Sequence, residues 1–433
     1  MSIERNAKKQ RHPLVDTLLT LKGNQKACVL TEPLWGIPFN LYSPYVSLYM
    51  VALGMKDSQI GLIISIGLAL QFVWSLLSGA ITDKLGRRWT TFLFDLVSWG
   101  VPMVLWAVAQ NYWYFFAAAI CNAVWRVTSN SWSCMLIEDG DDRKLVSIFT
   151  LVDIMAIISG FVAPIVGIFI EKYTLVPTIR VIYWISFVMM TSKFFILLFA
   201  SKETTVGKRR MEETKGVSLL SVLASSKDDV LKQLLRTRST VLAMLFLALL
   251  ACFTTVQGAF WPLFVSEKYH ISDSFMAIFP MVRASVLIVV YFFVTPRIRP
   301  DNIKKPLFFA IGAHSVWIVL LLCCMPLGSA GVPVVIIGTV FEALGAGIVG
   351  PVSQTLLALN VDAKERARIY SFAYALVLLL SAPAGWIAGQ LSNFDRALPL
   401  AFNLLLAAAL GLIVLLLSRT KNVSALQEES SAE

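Results

Sequence analysis

The chain has 433 residues, of which 57% are hydrophobic and only 15% are charged. Soluble proteins contain about 25% charged residues, so this composition excludes an ordinary soluble enzyme built from several domains. The net charge of +10 does not indicate a nucleic-acid partner, because the basic residues lie in short segments between long apolar blocks. We therefore expect an all-α membrane protein that contacts the lipid bilayer and binds no nucleic acid.

The apolar blocks are about 20 residues long, which is the length of helix needed to cross ~30 Å of hydrocarbon. Twelve such blocks follow one another in two sets of six, and they predict twelve transmembrane helices. In chain order they cover residues 27–53, 58–82, 89–110, 112–137, 145–170, 178–201, 239–266, 273–296, 305–326, 331–358, 367–391 and 397–418.

The two sets divide the chain into five parts. An N-terminal six-helix bundle covers residues 27–201, and a C-terminal six-helix bundle covers residues 239–418. A polar N-terminal segment, 1–26, precedes them, a polar linker, 202–238, joins them, and a tail, 419–433, follows. Leucines recur in the linker at near-helical spacing, so an amphipathic helix on the membrane surface is consistent with it. A mobile tether between the two bundles is an equally open alternative.

A short internal repeat indicates that the two bundles are pseudo-symmetric. Residues 159–167 in the fifth span follow the pattern S-G-x-x-A-x-x-x-G, and residues 381–389 in the eleventh follow S-A-x-x-G-x-x-x-G. Small residues at this spacing allow helix backbones to approach closely in a membrane. Their occurrence at matching positions favours two parallel repeats related by an axis along the membrane normal.

The distribution of Lys and Arg predicts the orientation. Most of these residues lie in the termini, the linker and the loops that share their side, which the positive-inside rule assigns to the cytoplasm. Both termini are therefore expected to be cytoplasmic. Compact loops, and a basic N-terminal segment without the apolar core of a signal peptide, favour a prokaryotic plasma membrane. The basic residues expected outside are Lys56, Lys172, Arg180, Lys268 and Arg396.

The loop after the second span carries the most specific motif, residues 79–88, G-A-I-T-D-K-L-G-R-R. In physical terms, Asp83 is suited to cap the positive end of a neighbouring helix, Gly86 to form a tight turn, and Arg87 to bridge to Glu138 or Asp142. Ordinary positive-inside anchoring explains the cations of this loop but not its acid and glycines. The residues of the motif are Gly79, Asp83, Lys84, Gly86, Arg87 and Arg88.

This loop resembles the signature G-x-x-x-D-[RK]-x-G-R-[RK] of the major facilitator superfamily at every specified position. The resemblance implies a solute transporter in which the loop, together with Glu138, latches the two halves on the cytoplasmic side. The corresponding loop of the second half, residues 296–305, keeps the charges but not the pattern.

Ionisable residues inside the spans are costly, so each needs a partner or a wet cavity. Arg126 resembles the family's fourth-span arginine, which is implicated in proton coupling. We expect it to hold a carboxylate deprotonated until substrate or a proton competes, with Glu32 as the first choice of partner and Asp153 as the second. A static ion pair that locks helices together is the alternative. Asp95 and Lys193 are expected to be structural, paired with each other or near the headgroups.

The family fold places spans 1, 2, 4, 5, 7, 8, 10 and 11 around a central cavity. Polar and aromatic residues on these spans are therefore candidates for substrate contact. Aromatic rings with amides suit a sugar, whereas aromatic rings with a buried acid suit an amphipathic cation. The candidates are Asn40, Gln71, Trp74, Asn122, Asn130, Gln257, Trp261, Arg283 and Glu342.

The chain is interpreted as a transporter, with no enzyme activity, cofactor or metal, that binds a small-molecule substrate and protons and acts as a monomer. In the fifth span, the segment around Pro164 and Gly167 is similar to a motif of proton-coupled exporters, in the drug:proton antiporter branch, and this favours export. Two alternatives stay open. One is proton-coupled uptake of a sugar or similar metabolite, and the other is a membrane sensor or scaffold that transports nothing.

Overall fold

The structure, a computed structural model, describes residues 13–140, 145–217, 238–298, 303–359 and 366–418. Within these ranges it contains helices and no β-strand, so the predicted all-α fold is confirmed. The α-helices are α1 (Pro13–Thr20), α2 (Gly23–Thr31), α3 (Pro33–Tyr42), α4 (Val46–Ala52), α5 (Asp57–Leu85), α6 (Arg87–Asp95), α7 (Val101–Ala107), α8 (Tyr112–Ala123), α9 (Trp125–Ile137), α10 (Leu145–Ser159), α11 (Pro164–Tyr173), α12 (Leu175–Ala200), α13 (Thr205–Glu213), α14 (Arg238–Lys268), α15 (Ile278–Val289), α16 (Lys304–Cys324), α17 (Val332–Leu359), α18 (Arg366–Phe394) and α19 (Leu398–Ser418).

Nine helical stretches of the described residues are long and apolar enough to cross a membrane. One of them, Lys304–Ser353, is 50 residues long and contains α16 and most of α17. The predicted first and fourth spans do not belong to these nine, because they are broken into the shorter helices α2–α4 and α8–α9. The helices are therefore consistent with the twelve predicted spans.

Several helix breaks within the predicted spans lie next to a proline, and two of them lie in the interior of the molecule. Pro44 is in the 3-10 turn Ser43–Tyr45 between α3 and α4, and Pro164 begins α11 after the turn Gly160–Val162. Because proline has no backbone N–H, it cannot complete the regular hydrogen-bond ladder of an α-helix. Both turns contribute to the wall of a cavity between the two halves of the molecule.

The repeated small residues lie where the first half, α2–α12, meets the second half, α14–α19. Gly385 and Gly389 of α18 pack against Gly61 of α5, and a Cβ at Gly61 would collide with the carbonyl oxygen of Gly385. In the first half, a Cβ at Gly167 of α11 would collide with the carbonyl oxygen of Ser274, just before α15. The predicted close approach of helix backbones is confirmed at both copies of the repeat.

We call the end of the molecule that carries residues 79–88 the motif end, and the other end the opposite end. Helix α13, in the predicted linker, packs against α5 at the motif end, and α1 packs against α10. The leucine-rich part of the linker lies within residues 218–237, which are outside the described ranges, as are residues 1–12 and the predicted tail 419–433. Both interpretations of the leucine-rich part stay open.

Candidate functional site

A cavity of about 590 Å³ lies between the two halves, and we call it the central cavity. In the first half, its walls come from α3, α10 and the turns that follow these two helices. In the second half, they come mainly from α14, α15 and α17. Its size falls in the range of about 300–1,000 Å³ that is typical of small-molecule sites. The predicted substrate residues that line it are Asn40, Gln257, Trp261, Arg283 and Glu342.

An ion pair lies on the second-half wall of the central cavity. Arg283 Nε donates hydrogen bonds to both carboxylate oxygens of Glu342, at 3.1 and 3.3 Å. Gln257 Nε2 donates to Glu342 Oε1 at 2.9 Å. The side chain of Glu342 is 6% exposed, whereas that of Arg283 is 46% exposed. The carboxylate is thus covered by its two donors, and the guanidinium group is the accessible charge.

Aromatic rings form much of the remaining wall. Trp35 stacks on Phe39 with ring centroids 4.8 Å apart, and Trp261 meets Phe279 edge to face at 5.0 Å. The sequence analysis did not assign Phe39 or Phe279 to the cavity. Helical spacing could have identified Phe279, because it precedes Arg283 by four residues and therefore lies on the same face of the helix.

The other predicted substrate residues do not line the central cavity. Asn122 Nδ2 donates to the carbonyl oxygen of Ser98 at 2.8 Å, and Asn130 Nδ2 donates to Thr82 Oγ1 at 3.1 Å. These bonds link neighbouring helices of the first half. Trp74 packs edge to face against Phe94, and Gln71 binds Arg126.

The predicted pair between Arg126 and Glu32 is wrong. Arg126 Nε donates to Gln71 Oε1 at 3.1 Å, and its guanidinium carbon lies 4.1 Å from the ring centroid of Trp125. It takes part in none of the ion pairs found among the described residues. Asp153, the second-choice partner, takes part in none of them either, and it is exposed on α10.

Glu32 pairs with Lys193 instead, at 2.8 Å between Oε2 and Nζ. Asp95 is also buried and interacts electrostatically with both residues. The expectation that Asp95 and Lys193 pair with each other or lie near the headgroups is therefore replaced by a buried group of three charges. The physical reason is that Lys193 of α12 lies beside the junction of α2 and α3, where Glu32 is located.

The three charges border a second cavity of about 380 Å³ inside the first half, which we call the aromatic chamber. It is lined by residues of α3, α9 and α12, the junction before α3, and the helical segment from Asp95 to Trp99. Trp35 and Phe39 line both this chamber and the central cavity. The indole rings that line the chamber belong to Trp35, Trp99, Trp125 and Trp132.

At the motif end, Gly86 forms the tight turn between α5 and α6 with φ +82°, a conformation that favours glycine. Arg87 Nε binds Glu138 Oε2 at 3.1 Å, and its Nη1 binds Asp83 Oδ1 at 3.0 Å. The predicted bridge from Arg87 to Glu138 is confirmed, while the alternative partner, Asp142, lies outside the described residues.

The predicted capping role of Asp83 is wrong, because Glu203 caps the following helix. The backbone N–H groups of Arg87 and Arg88 donate to Glu203 Oε1 and Oε2 at 2.9 and 3.0 Å. Glu203 satisfies two of the free N–H groups at the start of α6, where negative charge is favourable. Among the described residues, the motif-end bonds stay within the first half and residues 202–217; Lys84 Nζ, for example, donates to the carbonyl oxygen of Val217.

The opposite end carries a network that the sequence analysis missed. Arg396 binds Asp57 through two hydrogen bonds, at 2.9 and 3.2 Å, and its Nη1 lies 3.2 Å from Glu267 Oε2. Ser392 Oγ also donates to Asp57 Oδ2, at 2.6 Å. Lys268 Nζ pairs with Asp395 Oδ1 at 2.9 Å. Because Asp57 belongs to the first half and Arg396 to the second, this network holds the two halves together.

A sequence model of the Major Facilitator Superfamily matches residues 35–376. An uncharacterized MFS-type transporter of Bacillus subtilis (strain 168), YqjV, is 28% identical over 102 residues, which are 23% of this chain and 25% of that relative. The alignment therefore spans about a quarter of the relative's length.

Solved transporter structures resemble the chain in fold. A variant of the nucleoside transporter NupG gives a TM-score of 0.70 at 13% identity, covering 91% of this chain and 99% of that one. The human organic anion transporter MFSD10 (TETRAN) gives 0.63 at 15%, covering 90% and 98%. A bacterial homologue of the human lysosomal transporter Spinster, inward-facing and unoccupied, gives 0.66 at 14%, covering 94% and 98%. At these identities the likeness concerns the fold alone.

Proposed function

The chain belongs to the major facilitator superfamily, and on that premise we propose that it couples the movement of a small organic solute to protons by alternating access. Family membership makes it a membrane transporter and not an enzyme. One observation carries the proposal: the central cavity between the halves holds a covered carboxylate, Glu342, whose partner Arg283 is accessible to a bound solute.

Glu342 is the group through which we propose that protons act. A carboxylate in a site of low dielectric stays ionised only while neighbouring donors compensate its charge, here Arg283 and Gln257. A solute anion that binds Arg283 weakens this compensation and favours protonation of Glu342. A solute cation that binds Glu342 favours loss of its proton. Solute and proton binding are therefore linked, with a sign that depends on the charge of the solute.

Arg126 and Asp153 stay in the proposal as accessory groups for proton movement. Arg126 has an amide partner rather than an acid, so its charge is free to attract an anion or to raise the acidity of a nearby group. Asp153 is exposed on α10 and interacts electrostatically with Tyr291 of the other half. Glu32 is held by Lys193 and is assigned below to another site.

For direction, we propose export, as in the drug:proton antiporter branch, which is favoured by the fifth-span segment around Pro164 and Gly167. One observation favours a second candidate, proton-coupled uptake. Because Arg283 is far more exposed than Glu342, an anionic solute meets the guanidinium group first, and the linkage above then carries solute and proton in the same direction.

The orientation and location belong to the proposal as well. With both termini in the cytoplasm of a prokaryote and the chain in its plasma membrane, the motif end is cytoplasmic and the opposite end is external. The network around Arg396 then closes the external side, which favours an inward-facing conformation. We further propose that the protein acts as a monomer.

The test is transport by the purified full-length protein in liposomes with an imposed pH gradient and a pH-sensitive dye inside. Small organic anions, cations and sugars form the panel. We expect solute-dependent proton flux that falls by about tenfold or more in Glu342→Gln, while solute exchange without a gradient persists. The direction of net solute movement relative to the proton gradient then decides between export and uptake.

Glu171→Gln is the matched control, since it makes the same change at an exposed acid of α11 and is expected to leave the flux unchanged. Full pH-driven flux in Glu342→Gln would refute the assignment of Glu342, and Arg126→Ala and Asp153→Asn would then identify the coupling group. Absence of flux for the whole panel would favour a sensor or scaffold.

A further inference from the structure

We propose that the aromatic chamber is a second binding site, one that takes an organic ammonium group, and that Lys193 occupies it in the unliganded protein as a built-in counterpart of that ligand. The site lies inside the first half and shares Trp35 and Phe39 with the central cavity, but neither Arg283 nor Glu342 lines it. The inference goes beyond solute transport through the central cavity and does not depend on it.

Two acids and one lysine line the chamber, so it is short of one positive charge when both acids are ionised. Glu32 and Asp95 are two carboxylates, 9% and 4% exposed, and Lys193 is the single cation that the chamber contains among its described lining residues. The ammonium group of Lys193 forms an ion pair with Glu32, whereas Asp95 takes part in none of the ion pairs found in the described ranges. Within those ranges, Asp95 is compensated only by a hydrogen bond with Thr128 and by attraction to Lys193. Since an ionised group within a membrane span costs at least about 2.5 kcal/mol without compensation, a further cation is favoured here.

The indole rings determine which kind of cation fits. Lys193 Nζ lies 5.8 Å from the ring centroid of Trp35 and 5.9 Å from that of Trp132, within the ~6 Å range of cation–π attraction. Trp99 meets Trp35 edge to face at 5.1 Å and extends the aromatic wall. An inorganic cation such as Ca²⁺ needs several oxygen ligands, which indole rings do not supply. An alkylammonium group fits better, because its charge is attracted by the carboxylate and its methyl or methylene groups pack against the indole rings.

The chamber has room for more than the head of one lysine. About 380 Å³ is open beside Lys193, which is enough for a quaternary ammonium group with an attached ring. The four-carbon stem of lysine is flexible, so its head group can withdraw when another cation arrives. A purely structural ion pair between Glu32 and Lys193 would require neither this space nor the second acid, Asp95.

Equilibrium binding of radiolabelled benzyltrimethylammonium to the full-length protein in lipid nanodiscs tests the inference. Lys193→Met removes the built-in cation and keeps most of the volume of the side chain. We expect this variant to bind the probe about tenfold more tightly than the wild type, because the ligand no longer competes with lysine. Adding Asp95→Asn to Lys193→Met is expected to weaken binding again. Lys193→Arg keeps the charge and is expected to show no tightening.

A double variant keeps the test decisive if Lys193→Met folds poorly with two unpaired acids. Glu32→Gln with Lys193→Met leaves the net charge of the chamber unchanged, retains Asp95, and is also expected to bind more tightly than the wild type. The inference is overturned if neither variant binds more tightly, or if neopentylbenzene, the uncharged isostere of the probe, competes equally well.

Glu342→Gln distinguishes the chamber from the central cavity. It is expected to leave probe binding unchanged, because Glu342 lies on the wall of the other cavity. Loss of binding in this variant would place the probe in the central cavity and overturn the inference. A failure of proton-coupled transport in liposomes, in contrast, bears only on the proposed function, since this assay measures binding without a gradient.

Discussion

The two ends of the molecule use the same chemistry for different purposes. Arg87 at the motif end binds Glu138 at 3.1 Å, and Arg396 at the opposite end binds Asp57 at 2.9 Å. Arg87 and its partner belong to the same half, whereas Arg396 and Asp57 belong to different halves. A rigid-body exchange between two conformations has to break bonds between the halves and keeps those within one half. We infer that Arg87 supports the fold of the first half and that Arg396 supports the closed state.

The exposure of the two arginines agrees with this division. The side chain of Arg87 is 5% exposed, whereas that of Arg396 is 21% exposed. An ion pair at a wet surface is easier to break, because water solvates the separated charges, while a buried charge left unpaired is costly. Water therefore reaches the arginine of the pair that has to open, although its partner Asp57 is only 7% exposed.

The largest effect is expected for Arg87→Ala. The change leaves Glu138 and Asp83 without their shared cation, so we expect a loss of about 3 kcal/mol in the stability of the first half, typical of a broken buried pair. Thermal denaturation of the purified protein is the measurement. Arg209→Ala, which removes an exposed cation of α13, is the matched control and is expected to leave the midpoint unchanged. Equal midpoints for Arg87→Ala and the wild type would contradict a structural role.

A smaller effect of another kind is expected for Asp57→Asn. Arg396 loses its charged partner in the other half, so the population of the open state at the opposite end is expected to rise by about tenfold, or ~1.4 kcal/mol. The measurement is the distance distribution between spin labels at Lys56 and Phe394, both exposed and on different halves. Arg87→Ala should leave this distribution unchanged. A shift with Arg87→Ala and none with Asp57→Asn would reverse the assignment of the two ends.

The comparison also indicates what sequence patterns could predict. Apolar block length predicted the spans. The motif predicted the pairing of Arg87 with Glu138, because the two residues lie at span ends on the same side of the membrane. Depth along a helix follows from a rise of ~1.5 Å per residue, and Glu32 lies close to the start of the predicted first span, 27–53. Depth does not determine which neighbouring helix a side chain faces. Glu32 therefore had several cations within reach, and the packing of α12 selected Lys193.

Loop contacts were harder to predict. Glu203 caps α6 although it lies more than 100 residues further along the chain, and a carboxylate in a polar linker has no periodicity that marks it as a cap. Asp57 and Arg396 are still further apart in sequence, and each is the kind of charge that a span end carries in any membrane protein. Pairing across such separations depends on how the two halves dock, which local pattern does not encode.

The smallest effect on the open population is expected for Asp395→Asn. Measuring it at two pH values tests whether the network at the opposite end titrates. The backbone N–H of Ala397, together with Lys268, holds the pKa of the Asp395 carboxyl below its ordinary value of 3.8. The pair with Lys268 is therefore complete above that value and is lost only as the pH falls through the lowered pKa. We expect Asp395→Asn to change the open population by about twofold or less, since exposed pairs contribute little.

The spin-label distances should show the same small change for Asp395→Asn at about pH 5.5 and pH 7.5, because the carboxylate is ionised throughout this window. A wild-type shift between these two values would then come from a titratable group other than Asp395, and Glu342 is the proposed one. An Asp395→Asn effect that differs between the two pH values would mean that the opposite-end network itself titrates there. In that case, opening of the opposite end would depend on proton binding at the surface as well as on the ion pair between the halves.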